Sequence, residues 1–320
     1  MAGNSTGTPS GGYFSPYQNK QLKDSSDGEY LTDRLTNETI QFIKENKEAP
    51  FFAYLSFYTV HLPLQGKPEK VKKYQDKLER MNYEGEEFIT NNQMRFKNRQ
   101  NAPHYAAMVE SLDENIGRIL SALDEEGLSK NTIIVFTSDN GGMASGGAIT
   151  PTTNAPLKAG KGWLYEGGIK EPMIVRWPKQ VTAGTSCDEP VISTDFYPTL
   201  LDLAEIESIP NQHIDGHSLK PLLYGKELKE RPIFWHYPHY SGGLGGRPSG
   251  AVRLGAYKLI EFYEDMHVEL YNLENDIGEN NDLSETLPEK ANELKQLLHE
   301  WRKDINAQMP LPNPNYSKKL

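Results

Sequence analysis

Two runs decide the fold: Thr132-Ile-Ile-Val-Phe-Thr-Ser-Asp-Asn-Gly-Gly142, and after a loop rich in Gly, Thr and Pro, Ala159-Gly-Lys-Gly-Trp-Leu-Tyr-Glu-Gly-Gly-Ile-Lys-Glu-Pro-Met-Ile-Val-Arg-Trp-Pro178. Residues 132–137 form a near-continuous apolar run, the pattern of a strand buried on both faces of a sheet. Residues 138–142 break it sharply. Residues 172–177 predict a further strand. Upstream, residues 51–57 (Phe-Phe-Ala-Tyr-Leu-Ser-Phe) also predict a buried strand. A helix precedes that run, from a cap at Thr32 or Asp33 to about Asn46, with Leu35, Thr39, Ile40, Phe42 and Ile43 as its buried stripe. Pro50 stops it. The clearest helix runs from Pro103 to Glu126, where Tyr105, Met108, Val109, Leu112, Ile116, Ile119, Leu120 and Leu123 recur at helical spacing and Gly127 ends the run. A third runs from Asp195 to about Glu205, with Pro198 in its first turn. Buried strands alternating with helices imply an α/β sheet flanked by helices.

Outward from this core the texture changes. Residues 1–29 read as loop, with aromatics at Tyr13, Phe14 and Tyr17. Residues 64–101 are polar and read as a surface excursion. After about Gly225, the segments 233–236, 250–254, 257–262 and 267–273 alternate and are separated by turns, which predicts a small antiparallel sheet. A terminal helix with Leu287, Ala291, Leu294, Leu297, Leu298, Trp301 and Ile305 on one face closes this part. The length of 320 residues suits two domains, and the change of texture divides them as 1–225 and 226–320.

The formal net charge is −10, which gives the chain no electrostatic reason to bind nucleic acid or an anionic membrane. No apolar run reaches the length of a membrane span. Residues 1–10 lack the apolar stretch of a secretory signal. The one cysteine, Cys187, makes neither an intrachain disulfide nor a cysteine zinc site.

In open α/β sheets, ligands sit beyond the carboxyl ends of strands. Asp139 and Asn140 occupy such a place and offer hard oxygen donors suited to Ca²⁺ or Mg²⁺. Taken alone, Asp-Asn-Gly is more often a tight turn. His61 lies beyond residues 51–57, where a histidine can donate to an anionic substrate or shuttle a proton. A hydrogen-bonded structural histidine is the commoner case. Lys161 stands between two glycines that let backbone approach a ligand. It suits a sulfate or phosphate oxyanion, and it also suits a solvated loop. In the C-terminal part, residues 235–240 (Trp-His-Tyr-Pro-His-Tyr) and Arg247 flank a Gly-rich loop. His236, His239 and Arg247 are candidate sugar-reading residues, with Trp235 and Tyr237 as stacking faces or as ordinary strand core.

The joint order of these motifs resembles the sulfatases of the alkaline-phosphatase superfamily. The resemblance runs from about Gly11 to Trp301 and takes in residues 51–63, 105–127, 195–200 (Asp-Phe-Tyr-Pro-Thr-Leu) and 215–219 (Asp-Gly-His-Ser-Leu). It implies an alkaline-phosphatase-like sheet flanked by helices, incomplete here, with a small C-terminal antiparallel sheet and packed helix. It implies that Asp139 and Asn140 are two ligands of one divalent cation, usually Ca²⁺. Lys161 then contacts the sulfate group, and His61 lies near the leaving-group oxygen. An asparagine beside the aspartate suits a hard cation, where related phosphatases place a zinc-binding histidine.

The family's nucleophile is a formylglycine made from Cys/Ser-x-Pro-Ser-Arg, and this motif is absent from the sequence, as is any Asp-Asp pair. Cys187 stands in a different context. The expectation is therefore the C-terminal part of a sulfatase whose substrate is a sulfated carbohydrate or an aryl sulfate ester, inactive and poorly soluble or partly unfolded alone, with a periplasmic or secreted setting implied by the family. Two other readings stand beside it. One is a phosphodiesterase or phosphonate hydrolase of the same superfamily. The other is a non-catalytic carbohydrate-binding or interaction module. Oligomeric state is not legible.

Overall fold

A computed structural model describes residues 11–24, 26–91, 94–146, 149–212 and 215–314. The signal-peptide reading of residues 1–10 lies outside them. The chain packs as two compact units: Met1–Gly85, Arg99–Ile133 and Trp177–Lys179 form the first, and Glu86–Asn98, Ile134–Arg176 and Gln180–Leu320 the second.

The first unit holds three helices, α1 (Leu31–Asn46), α2 (Pro68–Leu78) and α3 (Pro103–Glu125), with α3 packed on both others. Its core is aromatic: Tyr13, Tyr17, Tyr30, Leu31 and Met108, with Phe14, Leu22, Leu35, Tyr58, Val60 and Leu64 around them. The described residues before α1 are irregular, as expected, yet their tyrosines anchor the unit. α1 begins at Tyr30 without a side-chain cap; Asp33 instead lies in the first turn, accepts from Asn115 at 2.7 Å and pairs with Lys67 at 2.6 Å. The α3 seam is Ala107, Met108, Ser111, Asn115, Ala122 and Leu123, while Val109 is exposed. Small residues at the seam let α1 and α2 approach closely, and Met108 and Leu123 are the members of the expected apolar stripe that lie in it.

Two expectations fail here. The excursion at 64–101 contains α2, started by Pro68 and anchored by Val71. It also contains a hairpin belonging to the second unit. Residues 51–57 form no strand, and Phe52 and Tyr54 are 70% and 84% exposed. An apolar run becomes a strand only where a neighbour completes its backbone hydrogen bonds, and no described strand pairs with this one.

In the second unit, β1 (Phe88–Asn91) and β2 (Met94–Lys97) form that hairpin. Strand β3 (Ile134–Thr137) pairs antiparallel with β4 (Met173–Arg176), and a one-turn helix α4 (Glu166–Ile169) precedes β4. The pattern predicts a buried β3, but Val135 and Phe136, on opposite faces of the strand, are exposed, and among the described residues β4 is its one ladder partner. Helix α5 (Phe196–Leu203) follows a 3-10 turn, and a short α6 (Lys220–Leu223) comes next.

The predicted C-terminal sheet is present as β5 (Ile233–Tyr237), β6 (Ser249–Leu254), β7 (Tyr257–Phe262) and β8 (Val268–Asn272), antiparallel in chain order. Helix α7 (Pro288–Asp304) covers one face: Val252, Leu259 and Leu270 pack on Ala291, Leu294 and Leu298. The alternate residues Ala251, Ile260 and Tyr271 point the other way and pack on Ala159, Trp163, Leu164 and Tyr165. The period-two alternation of a strand thus puts the helix on one side and the lysine-bearing segment on the other.

Candidate active site

Asp139 and Asn140 leave the end of β3. The Asn140 side-chain Nδ2 donates to the Gly141 carbonyl at 3.0 Å, and Ser138 Oγ donates to the Asn140 carbonyl at 3.3 Å. Asp139 is exposed and Asn140 half-buried. This turn is tied by backbone to the segment around Lys161. The Gly141 N–H donates to the Gly168 carbonyl at 3.1 Å, and the Lys161 N–H to the Gly142 carbonyl at 3.2 Å. The glycines are required by this closeness: a Cβ on Gly141 would lie 1.9 Å from the Gly167 oxygen, and one on Gly160 would lie 2.3 Å from the Gly142 oxygen.

A buried charge layer fixes the same segment from below. Lys258 is fully buried and bridges Glu166 at 2.8 Å and Glu279 at 2.7 Å. Glu279 also accepts the Glu166 N–H at 2.7 Å. Lys158 donates to the Glu279 carbonyl at 2.9 Å, and its ammonium lies 4.1 Å from the Tyr165 ring centroid. Burial pushes the Lys158 ammonium below its usual pKa and the Glu279 carboxyl above its own. Such pairs are costly to desolvate, and they fix one arrangement more than they add net stability.

Glu171, just before β4, has a buried Oε1 with no hydrogen-bond partner among the described residues. Burial, and then the charge of Asp139, push its carboxyl up to about 7. The sequence reading missed this carboxylate. Among the described residues, no group of three or more His, Cys, Asp or Glu side chains gathers around a point where a metal would sit. Asp139 and Asn140 fit a hard cation in kind but fall short of the six to eight oxygens that Ca²⁺ takes.

The Gly-rich C-terminal loop docks on the same segment. Trp163 Nε1 donates to the Leu244 carbonyl at 3.0 Å, and Ser145 Oγ donates to it at 3.2 Å. A Cβ on Gly246 would lie 1.8 Å from the Gly162 oxygen. Of the residues flanking this loop, His236 has both ring nitrogens engaged, Nδ1 with the Tyr263 hydroxyl at 2.7 Å and Nε2 with the Gln308 carbonyl at 3.0 Å. His239 is exposed, its ring centroid 4.1 Å from that of Tyr237. Arg247 pairs with Glu264 at 3.7 Å. Trp235 and Tyr237 pack on the core. Cys187 is exposed.

His61 belongs to the first unit. Its N–H donates to the Tyr58 carbonyl at 2.8 Å, and its own carbonyl accepts from the Tyr13 hydroxyl at 2.9 Å. Its Nδ1 lies 3.1 Å from the Leu62 carbonyl. The structure thus brings Asp139, Asn140 and Lys161 together with the Gly-rich loop, within one unit.

Hard oxygen donors at a strand exit, tied to a lysine between glycines, make a candidate site for an oxyanion and a cation on an α/β scaffold of the alkaline-phosphatase-like kind. The sulfatase family model matches residues 3–206, and the model of the C-terminal part of N-sulphoglucosamine sulphohydrolase matches residues 159–308. The chain belongs to the sulfatase family. A sulfatase of Formosa agariphila is 32% identical over 304 residues, which cover 87% of this chain and 51% of that relative. Human steryl-sulfatase is 35% identical over 212 residues, covering 65% of this chain and 32% of that protein. The chain therefore spans about half the length, or less, of these curated relatives. Among solved structures, Ps i-CgsB in complex with a neocarrahexaose is 32% identical, with a TM-score of 0.72 over 88% of this chain and 57% of that one. The phosphonate monoester hydrolase of Agrobacterium radiobacter, 20% identical with a TM-score of 0.57, shares the fold.

Proposed function

We propose that this chain carries the lysine-and-cation part of a sulfatase active site acting on sulfate esters of carbohydrates. The observation that supports it most is the backbone bond from the Lys161 N–H to the Gly142 carbonyl, two residues past Asn140. It holds the main chain of Lys161 against the turn that carries two hard oxygen donors. In this reading, Asp139 and Asn140 would hold a divalent cation, usually Ca²⁺ in the family. When bound, such a cation supplies Lewis-acid stabilisation of charge on sulfuryl oxygens. Lys161 binds one of those oxygens and orients the ester. His61 is given a hydrogen bond to the departing oxygen on the family pattern alone. The family's formylglycine nucleophile has no motif in these residues, so no covalent step is assigned to them, and hydrolysis by the chain alone is not expected.

The sugar preference rests on the relatives. Ps i-CgsB was solved with a carrageenan-type oligosaccharide, and N-acetylgalactosamine-6-sulfatase of the mouse is 30% identical over 71% of this chain. The C-terminal part, read as 226–320, would supply the substrate-facing loop, with His239 and Arg247 as reading groups. His236 serves that role less well, since both its ring nitrogens are engaged. A periplasmic or secreted setting belongs to the same proposal.

Calorimetric titration with inorganic sulfate in the presence of Ca²⁺ tests this reading. Saturable binding is expected, with Lys161→Met weakening it by about tenfold or more. Equal affinity in the two proteins would overturn the role of Lys161. Tight oligosaccharide binding that Lys161→Met leaves unchanged would favour the non-catalytic module.

A further inference from the structure

Between the turn at Asp139 and the lysine segment stands a side chain that no motif marks. Asn154 lies in Thr-Thr-Asn-Ala-Pro, a stretch whose composition reads only as loop. Its Nδ2 donates to three carbonyl oxygens: Gly142 at 2.9 Å, Ala159 at 3.0 Å and Gly167 at 2.9 Å. Gly142 follows the candidate cation ligands, Ala159 lies two residues before Lys161, and Gly167 lies six residues after it, in α4. An amide nitrogen has two hydrogens, so they are shared among three oxygens converging on one point. The surroundings are built to the same measure. A Cβ on Gly142 would lie 2.7 Å from Asn154 Oδ1, and one on Gly160 2.8 Å from Asn154 Nδ2.

We propose that Asn154 is a positioning residue that sets the spacing between the Asp139-Asn140 turn and the Lys161 turn. Its importance for ligand binding rests on the proposed sulfatase reading; its structural effect does not. Three converging carbonyls repel one another unless a donor sits between them. Alanine removes the donor. Aspartate keeps the shape but carries only acceptors when ionised, so it adds repulsion. Both substitutions should let the two turns move apart.

The test compares the chain with Asn154→Ala and Asn154→Asp by amide hydrogen exchange and by titration with inorganic sulfate in Ca²⁺. In both variants the Lys161 and Gly167 amides are expected to exchange at least about tenfold faster, while Leu259 and Ile260 in the C-terminal sheet keep their protection. Sulfate affinity is expected to fall about 10- to 100-fold, the range for groups that orient a ligating shell. Unchanged exchange at Lys161 and Gly167 would overturn the proposal. So would recovery in Asn154→Asp, which would make volume, and not the donor, the cause. Equal loss of protection at Leu259 and Ile260 would also overturn it, by showing general unfolding. If the unsubstituted chain binds no sulfate while exchange responds as expected, the sulfatase reading fails and the positioning role stands.

Discussion

Asp139 is a different ligand with Glu171 beside it than it would be alone. Two carboxylates near one point attract a cation more strongly than one; the upward shift of Glu171 comes first from burial and second from this same repulsion by Asp139. At pH 8, above the raised value of about 7, Glu171 is ionised. Glu171→Gln is then expected to weaken Ca²⁺ binding by up to about tenfold. Calorimetry at that pH checks it, and an unchanged affinity would remove Glu171 from the site. The candidate site was partly legible in sequence for a clear reason. Asp139, Asn140 and Lys161 sit where chain order alone places them, at a strand exit and between glycines. Glu171 escaped because its environment is set by burial in the fold and by Asp139, 32 positions earlier. The engagement of His236 was equally hidden, since Tyr263 and Gln308 are remote along the chain.

Secondary elements were read well where alternation or helical spacing ran long. The C-terminal sheet and α7 follow from period-two and helical patterns on a continuous stretch, and both appear within a residue or two of expectation. Their mutual packing gives a direct prediction. Leu294 and Leu298 are fully buried against the sheet, so Leu294→Ala should destabilise the second unit by about 2–5 kcal/mol, read by urea unfolding. α2 went unread because lysines dominate it and Val71 is its main apolar anchor, although Pro68 at its first turn was a usable start signal. At the Gly-rich loop, Gly246→Ala puts a methyl group into the Gly162 carbonyl. Overpacking of this kind costs about 1–3 kcal/mol, so the melting temperature should fall; an unchanged value would mean that the loop does not dock there. Between α5 and α6, Asp202 accepts from Ser218 Oγ at 2.6 Å and pairs with Lys220 at 2.9 Å. Ser218 first, then Lys220, hold its carboxyl below the usual range. A lowered acid contributes stability above its unfolded pKa and loses it as pH falls through the folded one. Asp202→Asn should therefore flatten the acid side of the stability profile, modestly, because the side chain is exposed.

For the whole molecule, the apolar residues that found no interior matter most. Phe52 and Tyr54 in the first unit, and Phe136 and Ile174 in the second, lie exposed, with Ile174 at 60%. The sequence marks the runs 51–57 and 132–137 as sheet interior and 172–177 as a strand; what chain pattern cannot report is whether neighbouring elements exist to cover them. Exposed apolar groups of this size favour association. The net charge of −10 opposes it by mutual repulsion between copies. The two effects differ in range. Charge repulsion is screened beyond about 8 Å at physiological ionic strength, whereas apolar contact is not weakened by salt. The 320-residue chain alone is therefore expected to associate, more strongly as salt is raised, and to bind a hydrophobic dye. Light scattering across a salt series checks this. Replacing Phe52 and Ile174 together by serine should reduce both scattering and dye binding, leaving the melting of the C-terminal sheet unchanged. A chain that stays monomeric at high salt and binds no dye would show that these side chains are covered in solution, and that burial, here as at residues 51–57, is decided by contacts the sequence pattern does not name.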